Sequence, residues 1–185
     1  MKRNRYILIP LVIVIILIAI FIIVSSTLTS VIVFIPGTIL TYIVYLNTFY
    51  KKTPTPERIL PLYLLLLGIQ FLHFTEEYLT DFIIEVPKLL GQVAYPLDYW
   101  LIFNMVAYFI FIIGGIFLFK QIKELMIIPL FFILVGVLLN SIGHILISIY
   151  VGEYFSGLYT ALIYIVIGPI LMKRVLDETK TSIKA

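Results

Sequence analysis

The sequence predicts an all-α fold, a polytopic transmembrane helical bundle of about six spans, and three observations carry that prediction. Of its 185 residues 62% are hydrophobic and only 12% charged, a balance foreign to ordinary soluble domains. Apolar runs of about 18 residues or more recur along the chain, each long enough to cross roughly 30 Å of hydrocarbon as a helix. Twelve of the 13 lysines and arginines fall in segments that such a bundle places on one side.

The expected spans are residues 6–24, 30–50, 59–79, 99–119, 125–150 and 154–172. Lys2, Arg3 and Arg5 precede the first, and Lys51, Lys52 and Arg58 follow the second. Lys120 and Lys123 follow the fourth; Lys173, Arg174, Lys180 and Lys184 follow the sixth. Only Lys88 lies opposite. The positive-inside rule then makes the chain a multi-pass protein of the cell membrane with both termini cytoplasmic. Topology accounts for the net charge of +3, so no nucleic-acid partner is expected. The absence of cysteine excludes disulfides, thiolate nucleophiles and cysteine metal sites.

The first span begins Lys2-Arg3-Asn4-Arg5 and could be read as a signal peptide. Its apolar run of about 19 residues is too long for a typical signal core, and Ser25-Ser26-Thr27 offers no suitable cleavage site, so a retained helix is expected. Pro36-Gly37 should kink the second span. The stretch Thr53-Pro54-Thr55-Pro56-Glu57-Arg58 cannot continue a helix. It divides an N-terminal hairpin, residues 1–52, from a four-helix core, residues 59–172, with a basic cytoplasmic tail at 173–185. The loop 80–98 carries Leu89, Leu90, Val93 and Ala94, which could lie along the interface as a short helix. Tyr95, Tyr99 and Trp100 suit an interfacial aromatic belt.

Both histidines of the chain fall inside core spans. Ionisable side chains within a bilayer are costly unless paired, hydrated or metal-bound, so they mark a functional site by default. On a helix His73, Glu76 and Glu77 are expected to share one stripe, and the i,i+4 spacing of His73 and Glu77 lets both reach one ion. In the fifth span Asn140, His144 and Ser148 repeat every four residues, while Gly136 and Gly143 offer room for a neighbouring helix. His73 and His144 each lie roughly 9 Å from the outer end of their span. Asn104 and Thr160 enter at similar depth, so four helices place polar groups in one layer of the outer half.

Three chemistries fit this layer. His73, Glu77 and His144 can supply a set of two histidines and a carboxylate for a divalent metal, zinc among the candidates, with Glu76 as general base and Asn104 and Asn140 as further catalytic groups. Without metal, the paired carboxylates and a histidine can act as acid and base on a lipid-like substrate. Alternatively, the cluster locks helices together as a structural network.

The string His73-Phe74-Thr75-Glu76-Glu77-Tyr78 resembles the signature of the HXXEE-motif integral membrane protein family. Asn140 and His144 resemble that family's Asn-x-x-x-His helix. Tyr154-Phe155-Ser156-Gly157-Leu158-Tyr159-Thr160 resembles its turn into the last helix, which usually carries a proline that this chain lacks. Asn104 and Pro169 also match, and the resemblance covers residues 59–172. It implies a small helical membrane protein and the same candidate residues, not a reaction. Sterol isomerases of the emopamil-binding type share the layout alone.

The expected function is a metal-dependent membrane enzyme, with hydrolysis the first choice, acting on a lipid or isoprenoid-like small molecule. The alternatives are a metal-free lipid- or sterol-binding or isomerase-type pocket, and a structural subunit of a membrane complex. Single cysteines introduced near Pro54 and Lys180 should be labelled only from the cytoplasmic side, and one near Leu90 only from outside. External labelling at Pro54 would refute six spans in this orientation.

Overall fold

The computed structural model describes residues 2–24 and 30–180, and the regular structure there is helical throughout. Helix α1 spans Lys2–Val24, and α2, Ile35–Asn47, follows a π-wound turn at Ser30–Phe34. Next come α3 (Pro56–Leu79), the short α4 (Phe82–Leu89) and α5 (Leu97–Lys120). One rod, Lys123–Val151, then contains α6 (Ile127–Phe131), a π-wound stretch (Phe132–Leu139) and α7 (Asn140–Val151). Helix α8, Leu158–Thr179, completes the bundle.

Among the described residues five helical rods are long and apolar enough to cross a membrane, and the chain is a membrane protein. The second expected span is a shorter apolar helix, Ile32–Asn47. Pro36 lies where the π-wound turn passes into α2, inside the continuous apolar helix Ile32–Asn47. Cleavage after the first span would fall at residues 25–27, outside the described residues.

The interior is built on buried Tyr63, Leu66, Leu130, Phe132, Ile133, Val137, Tyr164 and Leu171. Helix α8 packs on both α3 and α7, and α5 packs on α3. Close approach depends on Gly114, where an added Cβ would lie 2.9 Å from the Tyr63 hydroxyl and 3.3 Å from the Pro129 nitrogen. The Tyr63 hydroxyl donates to the Phe111 carbonyl at 2.6 Å, satisfying a polar group that has no water to turn to. Gly143 does not serve as a contact point, because nothing lies within 4 Å of its Cβ position. Gly136 meets chiefly Phe132 of its own rod.

The hairpin is fastened to the core at both ends. Phe21 stacks on Phe34 at 4.9 Å and on Phe131 at 6.1 Å. At the basic end Arg5 pairs with Glu124 at 2.7 Å, and the Tyr45 hydroxyl donates to the carbonyls of Tyr6 and Lys123. Arg58 pairs with Glu178, which also accepts the Thr55 N–H, so α8 is ordered past the expected start of the tail.

At the opposite end α4 begins after Asp81 in the left-handed conformation and stops before Gly91, φ +65°. It lies earlier in the loop than Leu89–Ala94 would have placed it. Trp100 is buried instead of belting the interface, stacked on Phe74 at 4.5 Å with Tyr78 and Phe82 beside it. Gly114→Val should overpack the α3–α5 contact and lower stability by about 1–3 kcal/mol in detergent, read by thermal unfolding. An unchanged melting temperature would contradict this close packing.

Candidate metal centre

Helix α3 carries His73 and Glu77 one turn apart, and α7 presents His144 to the same point. Glu77 Oε1 lies 3.4 Å from His73 Nε2 and 3.3 Å from His144 Nε2. All three residues are buried, with exposures of 1% for His73, 6% for Glu77 and 3% for His144. The rings of the two histidines meet edge to face at 4.7 Å. A carboxylate so enclosed must be compensated by positive charge or donated hydrogens.

The hydrogen bonds on the far sides of the imidazoles set their tautomers. His144 Nδ1 lies 2.6 Å from the Ser156 carbonyl, which can only accept, so Nδ1 carries the proton. His73 Nδ1 lies 2.7 Å from Thr160 Oγ1. The Thr160 hydroxyl in turn donates to Glu76 Oε2, which spends its one hydrogen and leaves it an acceptor for His73. Where the imidazoles are neutral, each turns an unprotonated Nε2 toward the Glu77 carboxylate.

Lone pairs converging on a carboxylate oxygen create a place for a cation. Two ligands at about 2.0–2.1 Å from a tetrahedral zinc are separated by about 3.3 Å, the spacing seen on both sides of Glu77. The three ligand atoms lie within 4.8 Å of one another, and the group could hold a metal ion. Anchoring each ligand histidine through Nδ1–H, to a carbonyl or through a hydroxyl to a carboxylate, is the usual outer support of such sites.

Glu76 is placed differently from the base expected for it. Residues 76 and 77 are about 100° apart around α3, so they face different helices. The Glu76 carboxylate accepts the backbone N–H groups of Tyr159 and Thr160 and the hydroxyls of Tyr154 and Thr160. It caps the N-terminus of α8 from another helix, where a negative charge is favoured and N–H groups lack intrahelical partners. Four donors leave it poorly placed to take a proton from water.

Asn104 is not brought to the cluster by its hydrogen bonding: its Nδ2 donates to the Trp100 carbonyl of its own helix at 2.9 Å. Equal depth did not fix which way it faced. Asn140 does join, with Nδ2 2.8 Å from His73 Nε2. Ser148 is buried on the same face, and its hydroxyl has no hydrogen-bond partner. A second polar layer, overlooked in the sequence, lies one turn along α3, where the Tyr164 hydroxyl donates to Gln70 Oε1 at 2.8 Å.

The turn before α8 also carries more than its residues announced. Gly157 has φ +84°, and an added Cβ would lie 2.5 Å from His144 Cε1 and Nδ1 and 2.9 Å from His73 Cε1. Only glycine fits there on both counts. Ser156 contributes a backbone carbonyl to His144, which no side-chain pattern could reveal; its hydroxyl meets Thr80 at 2.6 Å.

Thr160→Val keeps the volume but strips His73 Nδ1 and Glu76 Oε2 of their shared partner. It should cost about 1–3 kcal/mol of stability and about 10–100-fold in divalent-metal affinity, read by thermal unfolding and metal titration. Unchanged affinity would refute the role of this chain of bonds.

Compared with known proteins, the chain matches no family model, and neither a curated protein nor a solved structure matches it. The chemistry of the cluster therefore rests on its own donor atoms.

Proposed function

We propose that this membrane protein is a metal-dependent enzyme in which His73, Glu77 and His144 hold one divalent ion, with zinc the first candidate. The carrying observation is the pair of Nδ1-anchored imidazoles whose Nε2 atoms flank one buried carboxylate oxygen. His73, Glu77 and His144 would hold such an ion, which would supply Lewis-acid activation of a water or substrate oxygen and so make hydrolysis possible without Glu76 as base. In this reading Glu76, Thr160 and Ser156 orient the ligands.

The substrate in this reading is a lipid or isoprenoid-like molecule. Leu72 and Leu146, close in sequence to the ligands, are exposed on the outside of the bundle, so approach from the side crosses apolar surface. The distribution of basic residues supports cytoplasmic termini in the cell membrane, with the cluster toward the opposite face. The resemblance to the HXXEE-motif family, read from the sequence of residues 59–172, names the same residues and no reaction.

Protein purified without a histidine tag should carry about one divalent metal per chain, and His73→Ala and His144→Ala protein should carry almost none, by elemental analysis. Glu77→Gln should melt within a few degrees of wild type in metal-free buffer. At 100-fold metal excess over Kd wild type should gain about 2.7 kcal/mol that this variant does not. A large loss of stability in metal-free buffer, with no metal effect on wild type, would identify a structural network instead.

A further inference from the structure

Asn140 stands beside the His73 nitrogen that an ion would bind. Its Nδ2 lies 2.8 Å from His73 Nε2 and donates into the one lone pair that His73 directs at the cluster. An ion bound to that nitrogen would lie about 2.0–2.1 Å away and draw on the same lone pair. Metal and amide donor compete for it, so the carboxamide must withdraw or turn when metal binds.

Turning is the cheaper course. The side chain is partly buried, on the turn of α7 before His144, and the rotation of a terminal amide is broad and roughly two-fold. A half-turn exchanges the Nδ2 donor for Oδ1, an acceptor of the same size in nearly the same place. His73 cannot follow by switching tautomer, because Thr160 and Glu76 hold its Nδ1 proton.

From this geometry we infer that Asn140 Oδ1 is the fourth ligand of the centre, giving a tetrahedral set of two imidazoles, one carboxylate and one carboxamide. This inference rests on the metal reading above. Three protein ligands and an open position are the usual catalytic arrangement, whereas four close a site. Here the fourth is neutral and hydrogen-bonds readily elsewhere, so it is the ligand that a substrate oxygen displaces. Asn140 thereby gives way to the water or substrate oxygen that the hydrolytic reading needs, and favours ligands that bind as anions or strongly polarised oxygens.

Cobalt(II) replaces zinc in such sites with a visible spectrum that reports coordination, and azide serves as the displacing anion. Neither histidines elsewhere nor cysteines complicate the spectrum of this chain when no histidine tag is present. Cobalt-loaded wild type should show a four-coordinate spectrum that responds weakly to azide. Asn140→Ala should bind azide at least 10-fold more tightly, because its fourth position is open. Asn140→Asp, which supplies an anionic oxygen of the same reach, should bind cobalt at least 10-fold more tightly than wild type.

Equal azide affinity in wild type and Asn140→Ala, with cobalt bound to both, overturns the fourth-ligand assignment and leaves the metal reading standing. Absence of cobalt binding by wild type overturns both. Should Asn140→Ala not survive purification, Asn140→Asp answers alone: cobalt affinity no tighter than wild type overturns the assignment.

Discussion

The Glu77 carboxylate, enclosed between His73 and His144, is the constraint around which the site end of the bundle is arranged. Removing such a charge from water costs several kcal/mol unless compensating groups surround it. Two imidazole nitrogens face it, and each imidazole is tethered on its far side to a fixed acceptor. One tether is the Ser156 carbonyl; the other runs through Thr160 to Glu76. The polar shell thus extends two layers outward before reaching exposed groups such as Tyr154. Rigid outer bonds of this kind hold ligand atoms in place with or without an ion.

The same shell organises the helices. Glu76 holds the start of α8 against α3, and the Glu76–Thr160–His73 chain makes that docking part of the histidine geometry. Gly157 then allows the turn before α8 to lie directly on both imidazoles. Neighbouring carboxylates on one helix consequently do different work: one caps a helix, the other faces the imidazole nitrogens. Their separation of about 100° around α3 enforces the division.

At the other end, charge does a different job. Arg5 with Glu124 and Arg58 with Glu178 are surface pairs, weakened by solvent screening. The Tyr45 hydroxyl, bonded to the carbonyls of Tyr6 and Lys123, ties α1 and α2 to the core from inside. The hairpin is joined through these contacts and the Phe21–Phe34–Phe131 stack, and contributes none of the residues named at the cluster. The proline-rich stretch at 53–58 separates the hairpin from the helices that carry the cluster.

The sequence by itself determined the helical class, the membrane-crossing runs and the residue set His73, Glu77, His144 and Asn140. Hydrophobic run length and the expense of intramembrane ionisable groups are local properties, legible one residue at a time. Position along each helix was legible too, because it follows from residue number. Azimuth was not: Asn104, expected in the layer of the cluster, bonds to its own helix, and Gly143 faces open space. Rotation about a helix axis is set by packing against neighbours. The π-wound stretch Phe132–Leu139 alters that rotation just before Asn140 and is hidden in an unbroken apolar run. The Ser156 carbonyl and the amide groups held by Glu76 belong to the backbone, which every residue possesses alike. Only the tertiary structure could assign them, because the partner of a backbone group is chosen by where the chain passes and not by which side chain it carries.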